Sequence, residues 1–338
     1  MSKLTNCLIK KDSSCIPIWF MRQAGRYLPE FRLIRSKNLN FIKLCLDKKL
    51  SSEITLQPIS RFDLDAAIIF SDILMVPYGL GQDVNFEKNK GPILSNFNID
   101  HFYKNNIEDF TNKLKPVYDS IYETRKKLDK EKSLISFIGS PWTLIVYMLG
   151  LKKQKNILDI ETLKKKKTEI NLILNHLNNF LCAHIKNQIN AGADVVQIFD
   201  SWAGLIPENH LNAYCYEPNL KLTNFCKENK IPVICFPKGL NKNYYDFIKI
   251  VSPDCVSIDY NVDPDWAIKN FNGICIQGGM DPKVLLQEKD KMYSAANRYL
   301  SVFKDYPYIF NLGHGLLPET NPDNVEKLVR YVRNYKQL

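Results

Sequence analysis

The chain has 338 residues, of which 45% are hydrophobic and 24% are charged, and its formal net charge is +10. No run approaches the roughly 18 apolar residues of a membrane span, and Lys and Asp interrupt the first 15 residues before a signal-peptide core could form. These features exclude membrane-spanning and exported classes, so we expect a soluble, cytoplasmic protein. The positive charge favours anionic partners, either nucleic acid or acidic small molecules.

Eight short apolar runs recur along the chain, each with the β-branched and aromatic composition of a buried parallel strand. They are Ile16 to Met21, Ala66 to Ser71, Leu134 to Gly139, Asp194 to Phe199, Pro232 to Phe236, Cys255 to Tyr260, Gly273 to Gln277 and Tyr308 to Leu312. Helical periodicity fills most of the intervals. It is clearest from Ile170 to Ile185, and Gly192 follows where a helix-terminating glycine belongs.

Alternating strands and helices in this number predict a closed barrel. Two helix starts support it, because Ser140 and Asn321 each precede a proline, which pairs a capping residue with proline at the first helical position. The interval 261–272 is brief, so the helix there must be short. No linker or internal repeat divides the chain. We therefore predict an α/β fold, a single (β/α)₈ TIM-type barrel over residues 1–338, with the active site at the C-terminal ends of its strands.

The cysteines and histidines do not suggest a metal site. Nine cysteines are spread along the chain without a C-x-x-C pair, and Cys235 and Cys275 lie inside apolar runs, which is typical of reduced, buried thiols. His176 and His184 are eight residues apart with no cysteine or carboxylate spaced to complete a zinc site. We expect both histidines to be structural and no metal to bind.

The residues just after each apolar run are polar and would share one rim of the barrel. This rim set includes Arg22, Gln23, Arg26, Ser71, Asp72, Ser140, Pro141, Trp142, Asp200, Ser201, Trp202, Lys238, Asp259, Tyr260, Asp281 and Gly313-His314-Gly315. Arg35 follows closely as a third arginine of the first segment. Since the arginine fork engages carboxylates bidentately and stays charged, such a rim suits a large, partly apolar ligand with several carboxylates.

Each of these side chains also has a plainer interpretation. The arginines could form weak surface ion pairs, Asp72 could cap the next helix, Tyr147 could be a core aromatic, and His314 could be a packed imidazole. Their common location favours a site over four separate structural roles.

Two long motifs resemble the signatures of the uroporphyrinogen decarboxylase family: PIWFMRQAGRYLPEFR at 17–32 and IGSPWTLIVYMLG at 138–150. Further matches follow in family order, TLQPISRFDLDAAIIFSDIL at 55–74, QIFDSWAG at 197–204, QGGMDP at 277–282 and FNLGHGLLPETNP at 310–322. The resemblance implies a single barrel, usually a homodimer, that removes CO₂ from the four acetate side chains of uroporphyrinogen III to give coproporphyrinogen III in haem biosynthesis. It implies neither cofactor nor metal.

The resemblance also implies roles for individual residues. Asp72 resembles the aspartate that meets the pyrrole N–H groups at the centre of the macrocycle, and Arg22 resembles an arginine that binds substrate carboxylates; both are expected to be catalytic. The implied substrate-binding set is Arg22, Arg26, Asp72, Tyr147, Ser201 and His314. Gly279 replaces a family asparagine and FPKG at 236–239 departs slightly from the family pattern, which leaves the roles of the Lys238 and Gly279 loops open.

Two other functions are alternatives to a decarboxylase. A methyltransferase of the same superfamily would bind zinc through histidine and cysteines, but Cys182 and His184 stand in the wrong order for the expected His-x-Cys. A nucleic-acid-binding protein would need a continuous basic stripe with interleaved aromatics, whereas the arginines cluster in one motif. We therefore expect a tetrapyrrole partner and neither nucleic acid nor membrane.

Overall fold

A curled sheet of seven parallel strands forms the centre of the computed structural model, which describes residues 1–87, 91–153 and 157–335. The strands pair in chain order, each with its sequence neighbours. They are β1 (Ala66–Ile68), β2 (Ser133–Gly139), β3 (Val195–Asp200), β4 (Val233–Pro237), β5 (Cys255–Ile258), β6 (Cys275–Gly278) and β7 (Tyr308–Ile309). Seven of the eight predicted runs are thus strands, and the predicted TIM-type barrel is confirmed.

The first predicted run is not a strand but closes the barrel as a single bridge. Ile18 pairs in parallel with Phe310, whose N–H donates to the Pro17 carbonyl at 2.8 Å. On the other side, Asp65 N–H donates to the Ile18 carbonyl at 2.9 Å, next to the start of β1. Pro17 has no N–H, and the Ile18 N–H is taken by the Asp65 carboxylate at 2.7 Å. The segment therefore cannot extend its ladder.

Helices surround the sheet and connect its strands. They are α1 (Lys3–Lys10), α2 (Pro29–Lys37), α3 (Phe41–Leu46), α4 (Lys48–Arg61), α5 (Met75–Gly79), α6 (Ile99–Lys104), α7 (Ile107–Lys113), α8 (Lys115–Lys127), α9 (Pro141–Met148), α10 (Ile160–Lys165), α11 (Lys167–Asn190), α12 (Glu217–Glu228), α13 (Tyr244–Val251), α14 (Pro264–Asn270), α15 (Lys289–Val302) and α16 (Pro322–Asn334). Small antiparallel pairs add Val84–Glu87 with Gly91–Leu94, and Lys152–Lys153 with Ile157–Leu158. No helix in the described ranges is long and apolar enough to cross a membrane.

The predicted helix signals are confirmed where they were strongest. The Ser140 side chain accepts from Thr143 N–H at the start of α9, and Asn321 accepts from Asp323 N–H at the start of α16. Helix α11 contains the whole periodic segment and ends two residues before Gly192, whose φ is +105°. Helix α14, between β5 and β6, has only seven residues, as the brief interval required.

The interior of the barrel changes character along its axis. Near the N-terminal ends of the strands, Leu4 and Leu8 of α1 are buried together with Cys7 against the strands. Nearer the other end, Gln277 links Trp19 and Gln197 in a fully buried polar layer, with distances of 2.9 and 3.2 Å. Helix α1 therefore covers the end of the barrel at which the strands begin.

Candidate active site

The loop after the bridging segment holds Arg22 in a left-handed conformation with a φ of +60°. A non-glycine residue there costs about 1–2 kcal/mol, so its neighbours must fix it. Met21 N–H donates to Asn311 Oδ1 at 3.1 Å, and Leu316 N–H donates to the Met21 carbonyl at 2.9 Å. The fully buried Gln23 amide donates to the Ala66 carbonyl at 3.0 Å. Hydrogen bonds on both sides thus define the direction in which Arg22 leaves the backbone.

Gly315 provides the space that the Arg22 side chain occupies. A Cβ atom added at this glycine would lie 2.4 Å from Arg22 Cδ and 2.6 Å from Cγ. The absence of a side chain at Gly315 thus admits the Arg22 side chain. The family motif around His314 and the arginine motif therefore form one unit.

Asp72 follows β1, in the turn that leads into α5. Its Oδ1 accepts from Leu74 N–H at 2.8 Å and its carbonyl accepts from Met75 N–H at 3.1 Å, but the N-cap position of α5 is Leu74 and no side chain among the described residues caps this helix. Burial raises the pKa of this carboxyl to about 6, against the opposing effects of the Leu74 N–H and the Arg22 guanidinium. The group is thus a desolvated carboxylate facing a cation, and capping alone does not account for that environment.

Arg22 acts electrostatically on Asp72, Tyr147, Lys238 and His314, and we call the space bounded by these five side chains the cleft. The Arg22 side chain is accessible to solvent, yet nearby protein atoms lower the pKa of its guanidinium, while Asp72 and Tyr147 oppose the shift. Burial first, and then the cations Arg22 and Lys238, lower the pKa of His314 to about 4. The imidazole is therefore neutral at physiological pH and can accept or donate one hydrogen bond.

Tyr147 lies on α9, about two turns after the Ser140 cap, and is half-buried. Burial and the Asp72 carboxylate raise the pKa of its phenol, and the Trp202 side chain and Arg22 oppose them. The Trp202 ring stands edge-on at 6.0 Å between centroids. Tyr147 is thus part of the wall of the cleft and keeps its proton at neutral pH.

Ser201 is half-buried in the loop after β3, and a buried aspartate fixes that loop. Thr143 Oγ1 donates to Asp200 Oδ1 at 2.7 Å and accepts from Trp202 N–H at 3.2 Å. The Asn219 amide donates to Asp200 Oδ2 at 3.3 Å. Burial raises the pKa of Asp200, although these hydrogen bonds oppose it. Asp200 therefore positions the loop that carries Ser201, and it does not face the cleft as a free acid.

Two of the three arginines of the first segment interact electrostatically. Arg22 and Arg26 are both exposed, and Arg26 lowers the pKa of Arg22. Arg35 donates to the Asn38 carbonyl at the end of α2 and lies 5.8 Å from the centroid of the Phe41 ring. Arg35 thus has partners of its own at the end of α2.

Two positioning residues are not among the site residues predicted from sequence. Asn311 lies within the last predicted strand, where a polar residue inside an apolar run is a usable signal. Thr143 lies three residues after the Ser140 cap, and only the fold brings it to Asp200. Asp259 belongs to the predicted rim, and its role is structural, since it accepts from Gly239 N–H at 2.7 Å and from Tyr244 OH at 3.2 Å.

The zinc set of the methyltransferase alternative is not assembled. His184 is buried on α11, where Tyr118 OH lies 2.9 Å from Nδ1 and Gln188 Nε2 lies 2.8 Å from Nε2. Burial lowers the pKa of His184 to about 3. Among the residues that the structure describes, no group of three His, Cys, Asp or Glu side chains is placed to hold a metal ion.

Fold and cleft together define a (β/α)-barrel enzyme whose C-terminal end holds the cations Arg22 and Lys238 and the half-buried Asp72 carboxylate, a combination that suits a polyanionic ligand. The chain belongs to the uroporphyrinogen decarboxylase family, because the family model described as "Uroporphyrinogen decarboxylase (URO-D)" matches residues 1–335. The family predicted from sequence, and with it the carboxy-lyase activity, is confirmed.

Similar proteins agree with this assignment. Uroporphyrinogen decarboxylase of Rickettsia felis is 43% identical over 100% of this chain and 98% of its own length, and that of Orientia tsutsugamushi is 41% identical over 99% of both. A methyltransferase from Methanosarcina mazei has a similar structure with a TM-score of 0.76, 15% identity and 98% coverage of both chains. At that identity the likeness shows the fold alone.

Proposed function

We propose that the cleft decarboxylates the acetate side chains of uroporphyrinogen III, with Asp72 and Arg22 as catalytic groups and the substrate as its own electron sink. The substrate-binding set is Arg22, Arg26, Asp72, Tyr147, Ser201 and His314. The observation that carries the proposal is the placement of a desolvated Asp72 carboxylate beside Arg22.

An acetate carboxylate can leave as CO₂ only if its bonding electrons have a destination. Protonation of a pyrrole at its ring α-carbon gives an iminium-like cation conjugated to the carbon that bears the acetate. Loss of CO₂ then sends the C–C electron pair into this cation and leaves an exocyclic methylene. Protonation of the methylene and loss of the α-carbon proton restore the pyrrole with a methyl group.

Asp72 suits the stabilisation of that cation. A fixed anion among protein atoms stabilises developing positive charge better than one in water, since water need not reorganise around it. The carboxylate also has acceptor capacity left for pyrrole N–H donors after it accepts from Leu74. Its raised pKa shows that burial disfavours the anion, and bound N–H donors and the cationic intermediate would favour it.

Arg22 and Arg26 suit the orientation of the acetates, because a guanidinium binds a carboxylate through two parallel N–H groups. The fixed backbone at Arg22 brings successive acetates to the same place relative to Asp72. The proton donor is drawn from Arg22, Tyr147 and a bound water; surroundings that lower the pKa of Arg22 make the guanidinium a somewhat better relay than in water.

This mechanism requires no metal or cofactor, because the protonated pyrrole accepts the electrons. Exhaustive chelation should therefore leave turnover unchanged, which a discontinuous assay with and without chelator would show. Loss of activity that zinc restores would contradict this part of the proposal.

We further propose that the protein has one domain over residues 1–338, forms a homodimer, is located in the cytoplasm and has no nucleic-acid partner. The family resemblance supports the dimer, and so do the exposed apolar side chains Leu33 and Leu39, 60% and 81% accessible near the Arg26 loop. Light scattering would give the mass, and a gel shift at low salt would test nucleic-acid binding.

Incubation of the purified protein with uroporphyrinogen III under anaerobic conditions tests the function. Chromatography should show stepwise loss of four carboxylates and accumulation of coproporphyrinogen III. Unchanged substrate at high enzyme concentration would contradict the proposal.

A further inference from the structure

Lys238 extends from a rigid backbone position at the C-terminal end of β4. Its N–H donates to the Asp200 carbonyl at 3.1 Å, and its carbonyl accepts from Gly204 N–H at 2.9 Å. The following loop is equally fixed, since a Cβ atom on Gly204 would lie only 2.7 Å from the Gly239 carbonyl oxygen. The lysine is therefore carried by a position that the sheet and two loops define, as a ligand-binding residue requires.

The Lys238 ammonium forms no ion pair with a carboxylate in the part of the chain that the structure describes. Asp259 is its electrostatic neighbour, but Asp259 Oδ2 already accepts from Gly239 N–H at 2.7 Å and from Tyr244 OH at 3.2 Å. Asp259 Oδ1 accepts from Asn261 N–H at 3.0 Å. These hydrogen bonds hold the Asp259 carboxylate in a position from which it forms no direct ion pair with Lys238.

The surroundings of Lys238 would favour an anionic ligand. The side chain is half-buried and lies within electrostatic range of Arg22 and His314. Burial and the Arg22 charge lower the pKa of the ammonium, while Asp259 opposes the shift. The positive charges of Lys238 and Arg22 repel one another, and a bound carboxylate would offset both this repulsion and the partial burial of Lys238.

We propose that Lys238 is a further substrate-binding residue, whose ammonium holds a carboxylate of the tetrapyrrole that is retained in the step being catalysed. This rests on the proposed function. A cation paired with the departing carboxylate would stabilise the reactant more than the transition state, where that charge is lost. A cation paired with a retained carboxylate stabilises both states equally and so contributes to binding.

Steady-state kinetics of K238M, K238Q and K238R with uroporphyrinogen III test this assignment. A charge-assisted hydrogen bond accounts for roughly a tenfold to hundredfold change in affinity, so KM should rise by about that factor in K238M and K238Q. The kcat should stay within about twofold, and K238R should recover most of the loss. K242M is the matched control, because Lys242 is 80% exposed and pairs only distantly with Glu208 at 3.9 Å.

A KM within about twofold of wild type in both K238M and K238Q would overturn the assignment, as would a collapse of kcat at unchanged KM. Thermal melting identifies a variant that fails to fold, and the other variants then decide. Active wild-type enzyme with normal K238M and K238Q would reject Lys238 alone. Wild-type enzyme that leaves uroporphyrinogen unchanged would reject the proposed function and this assignment with it.

Discussion

At the N-terminal end of the barrel, α1 buries Leu4, Cys7 and Leu8 completely, and the space is filled by apolar contacts. At the C-terminal end, Arg22 sits at a φ of +60° and Asp72 keeps a raised pKa of about 6. The first end contributes stability through burial, whereas the second holds a strained backbone and a desolvated charge. The C-terminal end is therefore organised for a ligand, and burial at the N-terminal end offsets the cost of that arrangement in stability.

The largest expected effect is the loss of rate in Asp72→Asn, which removes charge while it preserves shape. The asparagine oxygen can still accept from Leu74 N–H, so the turn into α5 survives. Its NH₂ group, however, is a donor and cannot accept hydrogen bonds from the pyrrole N–H groups. Loss of one well-placed electrostatic group costs about 2.7–4 kcal/mol, and kcat should fall on the order of a hundredfold to a thousandfold. Stopped-time chromatography of the products would measure it.

Stability should move the other way in this variant. A carboxyl whose pKa is higher in the folded than in the unfolded protein lowers the stability of the fold as pH rises above the unfolded pKa. At neutral pH the substitution should therefore raise the melting temperature of the ligand-free protein. Asp47→Asn is the control, since exposed Asp47 caps α4 outside the cleft and should keep normal kinetics. More than about half of wild-type activity in Asp72→Asn would remove Asp72 from the mechanism.

A smaller effect is expected from Arg22→Lys and Arg26→Lys, which keep the charge and lose the bidentate fork. A hydrogen bond to a charged group contributes about 1.5–3 kcal/mol, so kcat/KM should fall about tenfold to a hundredfold. Arg330→Lys, at a surface pair with Glu326, is the matched control. Wild-type kinetics in both cleft variants would assign these arginines to the surface.

The N-terminal end should show the reverse pattern. Leu8→Ala opens a cavity at a fully buried position, and the free energy of unfolding should fall by about 2–5 kcal/mol. The kcat per folded molecule should not change, because Leu8 lies at the end of the barrel opposite the cleft. Denaturant unfolding and kinetics at low temperature would check both; a fall in kcat at full folding would show that the two ends are coupled.

The sequence predicted most of the barrel because its signals are local. Apolar runs define strands, and the Ser140 cap is read from neighbouring residues. Local reasoning could not show that Asn311 holds the backbone beside Arg22, or that Gly315 makes room for its side chain, because folding brings these distant segments together.

The most direct test of the central claim, that ionised Asp72 drives the reaction, is the pH dependence of kcat/KM in wild type and Asp72→Asn. This parameter reports groups of the free enzyme, and the carboxyl pKa of about 6 should appear as a limb in which the rate falls as Asp72 is protonated. The account predicts that this limb is present in wild type and absent from the slow residual activity of the variant. An unaltered limb in Asp72→Asn would contradict it.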